Sequence, residues 1–204
     1  MSFFENEDQI VPLWKSQATA RSKITVDVLD YWSSLRVGNG LPKQSQLDPR
    51  GLQSALPYVF MLERVAPGIA RIRVAGEHMN DLMGMEVSAM PLTAFAAPGE
   101  RAAFLPLIDQ VFDNPAIVEM DLVAKRAGYA PKESEMLLLP VEDETGRVNR
   151  ALGCLVARGP IVFSPYRFRI RSKRVMALPQ PVCAAVQDHE PTNRRPPLAE
   201  AEFK

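Results

Sequence analysis

The first clear period of apolar positions falls over Asp27–Arg36, where Val28, Tyr31, Trp32 and Leu35 recur at the spacing that lines one side of a helix. Gly38-Asn39-Gly40 stops it. Asp48 and Pro49 then sit as cap and first residue of a short helical turn over Arg50–Ala55, which ends at Leu56-Pro57. Tyr58–Val65 is a run of aromatic and aliphatic residues, and beyond Pro67-Gly68 the positions Ile69, Arg71 and Arg73 alternate with Ala70, Ile72 and Val74. Two such runs across a Pro-Gly turn predict a hairpin with one buried face. Helical spacing returns over Glu77–Met83, closed by Gly84, and over Glu100–Phe112, where Pro106 predicts a kink or a later start.

Three further strands are predicted at Ala116–Lys125, Ser134–Val141 and Asn149–Ala157. In the first, Val118, Met120 and Leu122 alternate with Glu119 and Asp121, the pattern of a strand with one wet face. The polar run Glu142–Gly146 joins the last two as an antiparallel pair. The elements together describe an α+β domain: a five-stranded antiparallel sheet with the intervening helices on one face and a helix at the N-terminal end. Residues 1–26 are read as an extension, 27–157 as the domain, 158–177 as a basic amphipathic segment and 178–204 as a disordered tail.

The last two assignments come from composition. Lysine plus arginine equals aspartate plus glutamate at 24 each, so the whole chain has no net field to draw it to nucleic acid or an acidic membrane. The balance is uneven along the chain, however: residues 1–157 hold 15 bases against 20 acids, and residues 158–204 hold nine against four. Five prolines between Pro179 and Pro197, among small and polar residues, mark a stretch that cannot bury enough surface to fold. Between Arg158 and Arg174 there are six bases and no acid. There Tyr166, Phe168 and Ile170 alternate with Arg167, Arg169 and Arg171, ahead of Lys173 and Arg174. An extended segment of this kind shows one apolar and one basic face, suited to a sheet edge or an acidic partner, so Arg167, Arg169, Arg171, Lys173 and Arg174 are the partner-binding candidates.

An ordered series of motifs, Asp30-Tyr31-Trp32, Leu35-Arg36, Leu41-Pro42, Leu47-Asp48-Pro49, Leu56-Pro57-Tyr58-Val59-Phe60, Arg73-Val74-Ala75-Gly76, Leu138-Leu139-Pro140 and Leu152-Gly153, resembles the PAS-type domain family common as stand-alone proteins in alphaproteobacteria. The resemblance covers roughly residues 27–157 and implies a PAS fold with strand order 2-1-5-4-3. It also implies a sensory or interaction module, one that in many relatives holds a small molecule between sheet and helices or dimerises. Where the family pattern continues with an arginine and a Thr-Gly pair, this chain has Gly84-Met85-Glu86-Val87-Ser88-Ala89, which lacks both.

Candidate chemistry is sparse. No GxSxG, HExxH, P-loop or GxGxxG motif occurs, and His189 falls in the presumed tail, leaving His78 as the one histidine of the domain. His78, near Met79, Met83 and Met85, has the chemistry of an axial ligand to haem, but the sequence favours an exposed histidine beside a thioether-filled core, and no cofactor is assigned. Glu119, Asp121, Glu133 and Glu135 are read as the solvent side of a sheet rather than as paired catalytic carboxylates. Cys154 is read as a small hydrophobe. The ligand-binding candidates form an apolar lining: Ile72, Val74, Val118, Met120 and Leu122 on strands, facing Met79, Met83, Phe104 and Ile108 on helices.

The expected function is a non-catalytic sensory or regulatory module acting through a protein partner or a homodimer and gated by a small apolar ligand. The alternatives are a small α+β enzyme with an enclosed apolar substrate pocket, and a nucleic-acid or membrane adaptor through residues 158–174. With two cysteines, an acidic stretch Met1–Asp8 and no apolar stretch of membrane-spanning length, the expected location is the cytoplasm.

Overall fold

The computed structural model describes residues 21–179. Helix α1 runs over Lys23–Ser34, beginning four residues before the apolar period because the Ser22 side chain caps it, accepting the Ile24 N–H at 3.3 Å. The Asp48 cap forms as the sequence indicates, with the Arg50 N–H donated to its carboxylate at 2.9 Å. Strands β1 (Val59–Ala66) and β2 (Ile69–Ala75) form the hairpin, and α2 spans Glu77–Met83. Gly84 stops α2 in the left-handed region at φ 70°, which a glycine adopts without strain. Helix α3, Arg101–Asp113, starts one residue after the sequence reading and runs through Pro106. Strands β3 (Ala116–Ala124), β4 (Lys132–Glu142) and β5 (Val148–Ala157) follow.

The sheet order is β2-β1-β5-β4-β3, as the resemblance implies, extended by a sixth strand, β6, over Arg169–Ala177. The second half of the basic segment is therefore part of the sheet. It pairs antiparallel with β3, placing Arg174 opposite Glu119 and Ser172 opposite Asp121, so the polar positions of β3 find donors across the ladder. Most of the tail read from composition, residues 180–204, lies outside the described residues.

Helices cover both faces of this sheet. On the inner face α2 and α3 bring Met79, Leu82, Phe104 and Ile108 against Leu62, Ile72, Met120 and Leu138. On the outer face α1 brings Val28, Leu29 and Trp32 against Ile117, Leu137, Leu139 and Cys154. Burial from both sides explains why β4 is continuously apolar from Met136 to Val141 instead of alternating. The connection from β5 to β6 then wraps the inner layer. Tyr166 N–H donates to Leu82 O at 2.8 Å and Phe168 N–H to Phe95 O at 2.7 Å. The buried Lys132 ammonium donates to the carbonyls of Arg158 at 2.9 Å and Pro160 at 2.5 Å, which satisfies a charge otherwise costly to bury.

Candidate functional site

Eight of the nine lining candidates, Ile72, Met79, Met83, Phe104, Ile108, Val118, Met120 and Leu122, lie in the inner core at 2% exposure or less. They fill the layer between sheet and helices. Val74 does not join them, being 65% exposed. The cause is a bulge: Met61 pairs with Val74 but Leu62 with Ile72, so Arg73 is left over and the alternation reverses. Val74 falls on the outer face beside Met61, and Ala75 packs inward in its place. A single unpaired residue thus moves a side chain across the sheet.

His78 is half-buried rather than exposed. Its Nε2 accepts the Ala157 N–H at 3.1 Å at the end of β5, and its ring lies 4.7 Å from that of Tyr58. That nitrogen is occupied as an acceptor and is not presented to a metal. Burial holds the imidazole below its ordinary pKa, with the Lys132 charge acting the same way and Asp81 opposing. Because the unfolded chain takes up the proton more readily, the neutral form's contribution is full above the ordinary value of 6.5 and is lost as the pH falls through the depressed one. The melting temperature is expected to drop as the pH falls below the ordinary histidine value, and to drop less in His78→Gln, whose amide oxygen still accepts the Ala157 N–H. Equal pH dependence in both proteins would contradict this assignment.

Cys154 is 1% exposed, and burial, with Glu135 nearby, pushes its thiol up to about 12. In a Cys183→Ser background it is expected to react with a thiol reagent only as fast as the domain unfolds. Reaction at the rate of a free thiol in native buffer would show that strand β5 opens locally.

The carboxylates of the outer face are less solvated than the alternation suggests. Glu135 is nearly buried. It accepts the Ser22 N–H at 2.9 Å and the Thr25 hydroxyl at 3.3 Å, and pairs with Arg158 at 2.5 Å. Glu119 pairs with Arg21 and lies 3.8 Å from Arg174. Burial raises the Glu119 carboxyl above its usual range against the pull of these two arginines. The acids thus gather at the positive end of α1, where negative charge is favoured, and tie that end to β3 and β4. A depression of about 260 Å³ opens here, lined by Arg21, Glu119, Asp121, Glu135 and Arg174 among others. Sequence periodicity places these acids on the correct face; what closes over them, the start of α1 and Arg21, comes from more than 90 residues away and leaves no local signal.

The basic candidates separate. Arg167 precedes β6 and turns inward, donating to the Met83 sulfur at 2.9 Å and to Tyr166 O at 3.2 Å. Arg171 pairs with Glu133 at 2.6 Å and Arg174 with Glu119. Arg169 and Lys173 are exposed and, among the described residues, make no ion pair. A second bulge at Arg171 reverses the alternation, since Ile170 pairs with Leu122 and Ser172 with Asp121; Arg169 therefore points to the outer face and Lys173 to the inner. The single basic face expected from the sequence is divided between the two sides of the sheet.

The family model described as "PAS domain" matches residues 20–156, two thirds of the chain. The chain belongs to the PAS domain family. This PAS domain is similar in fold to solved structures of low identity. One is the PAS domain of a protein from Colwellia psychrerythraea: 15% identical, TM-score 0.40, covering 55% of this chain and 97% of that one. Another is the LOV protein of Rhodobacter sphaeroides: 14% identical, TM-score 0.41, covering 55% and 69%. A third is the dark structure of the blue-light photoreceptor Aureochrome1 LOV: 12% identical, TM-score 0.42, covering 61% and 89%. No curated protein matches the chain significantly. Relative to the stretch that matches the family model, β6 of this PAS domain lies beyond the matched residues. Among the described residues, no helix is long and apolar enough to cross a membrane, and no cluster of three or more His, Cys, Asp or Glu is placed to hold a metal ion.

Proposed function

We propose that this PAS domain is a non-catalytic sensory or regulatory module that acts by contact, with a protein partner or a second copy of itself, and that a small apolar ligand taken up between the sheet and α2 and α3 biases that contact. PAS domains are typically sensory or regulatory, and the observation that carries the reading for this chain is the seating of α1. That helix lies on the face of the sheet opposite the inner core and is tied at its start by the polar contacts to Glu119 and Glu135. Its docking is thereby separable from the packing of α2 and α3.

The two layers communicate through the strands. Val118, Met120 and Leu138 face Phe104 and Ile108, while Ile117, Leu137 and Leu139, their neighbours in sequence, face Val28 and Trp32. A ligand entering the tightly filled inner layer must displace side chains there, and the displaced volume is one strand's thickness from α1. It shifts the position of α1 only in so far as it binds one seating better than the other.

Native mass spectrometry of the full chain, with thermal melting against a panel of apolar and aromatic metabolites, tests the reading. Supporting results are a retained mass above that of the polypeptide, or a raised melting point, together with altered amide exchange over Lys23–Ser34. A bare polypeptide mass with no change in melting or in α1 exchange across the panel would remove ligand control.

A further inference from the structure

The two edges of the sheet are finished differently. Along β2 the loop at residues 89–91 lies beside the strand: Ile72 N–H donates to Met90 O at 2.9 Å, Ala89 N–H donates to Ile72 O at 2.8 Å, and Arg71 bridges to Pro91. At the other edge the same kind of cover stops at Phe168, whose N–H and carbonyl bond Phe95 and Ala97. From Arg169 to Ala177, strand β6 is paired with β3 on one side, and among the described residues nothing pairs with its other side. Nine residues of strand therefore turn the outward half of their N–H and C=O groups away from the sheet with no partner among the described residues, which is a template for a further strand.

The side chains on this edge say what kind of strand. Arg169, Arg171, Lys173 and Arg174 stand within it and no acid does. The two that have no carboxylate partner among the described residues, Arg169 and Lys173, point to opposite faces. A second copy of β6 laid antiparallel would set base against base, which is destabilising. Nucleic acid would use the charges but none of the backbone groups, and its phosphates would meet Glu119, Asp121 and Glu133, which lie among the bases. A segment that satisfies both the backbone and the charges is an extended polypeptide with carboxylates on both of its faces, an acidic run rather than an acid-apolar alternation.

We propose that the free edge of β6 receives an acidic, extended segment of a partner protein by strand addition, with main-chain hydrogen bonds setting the register and Arg169 and Lys173 pairing with its carboxylates. This rests on the regulatory reading above and names the partner's chemistry. It also gives β6 a role that the inner core does not require, since its residues are mostly exposed or half-buried.

The experiment uses the full chain and a fluorescein-labelled peptide of glutamate and threonine about ten residues long, the span of an ordinary strand, in about 0.05 M salt where surface charge is weakly screened. Fluorescence anisotropy is expected to show saturable binding. Arg169→Glu combined with Lys173→Glu is expected to weaken it at least about tenfold with the melting point unchanged, because both side chains are exposed and neither makes an ion pair among the described residues. The same peptide N-methylated at alternate residues, which removes N–H donors and leaves the charge, is expected to bind about tenfold more weakly as well.

Absence of peptide binding, undiminished binding of the N-methylated peptide, an unaffected double variant, or tighter binding of a single-stranded oligonucleotide of equal charge would each overturn strand addition. If any of these occurs while ligand-dependent exchange in α1 persists, strand addition alone is lost; the reverse pattern would leave the edge site standing and remove ligand control.

Discussion

Replacing Gly76 by alanine is expected to lower the stability of the domain by about 3 kcal/mol, the upper end of what overpacking usually costs. A Cβ built there would lie 2.3 Å from the carbonyl oxygens of both Leu56 and Pro57 and 2.4 Å from the Pro57 carbonyl carbon. These are backbone atoms and cannot rotate aside. Gly76 cannot retreat either, because its N–H is donated to Val59 O at 2.8 Å and its carbonyl receives the Met79 N–H at 3.1 Å as α2 begins. Its φ of −69° is one that any residue adopts, so the requirement for glycine is close approach and not backbone freedom. At about 2–4 °C per kcal/mol for a chain of this size, the melting point should fall by about 6–12 °C. Gly99→Ala is the control: nothing lies within 4 Å of its Cβ position, and a change within about 0.5 kcal/mol is expected. Circular dichroism melting curves of the two variants decide the matter, and matching curves would show that the Leu56-Pro57 turn yields at little cost.

Trp32→Ala is expected to remove about 3–5 kcal/mol, the range for deleting a large buried aromatic side chain. Trp32 is fully buried between α1 and the sheet, and its indole N–H donates to Pro140 O at 2.9 Å. Truncation opens a cavity at the centre of the outer layer and leaves that carbonyl without its donor. Trp32→Phe separates the two effects: most of the ring remains and the hydrogen bond is lost, for an expected cost of about 1–2 kcal/mol. The distribution of the loss is informative as well. If the seating of α1 is separable from the inner core, amide exchange in Trp32→Ala should accelerate over Lys23–Ser34 well beyond any change in α3. Uniform acceleration through both helices would mean that the domain opens as one unit, and the regulatory role proposed for α1 would lose its physical basis.

Most of the elements were legible because their signals are local. Apolar positions at helical spacing marked α1 and α3, alternation marked β3, and the Pro-Gly pair between β-favouring runs marked the β1–β2 hairpin. The strand order came from family resemblance, since nothing in a strand's own residues names its neighbours. The departures share one cause. Val74 crosses to the outer face because Arg73 bulges out of the ladder, and whether a ladder bulges depends on the partner strand. Glu135 reads as a wet position and is nearly buried because the start of α1 settles on it. His78 reads as exposed, yet its partners Tyr58 and Ala157 arrive from two other parts of the chain. Arg169–Arg174 read as one basic face, and pairing with β3 and the bulge at Arg171 divided it between two.

By itself, the sequence determined where the chain would form helices, strands and turns, that enough apolar surface existed to cover a sheet, and that its bases would concentrate after residue 157. These follow from the composition and spacing of neighbouring residues, which fix local backbone preference and the balance of burial. Only the tertiary structure decided that helices would cover both faces of the sheet, that acids on β3 and β4 would hold the start of α1, and that the basic segment would become an open sixth strand. Each of those outcomes depends on which distant groups meet, and a hydrogen bond or ion pair between residues a hundred positions apart leaves no mark in the stretch around either one.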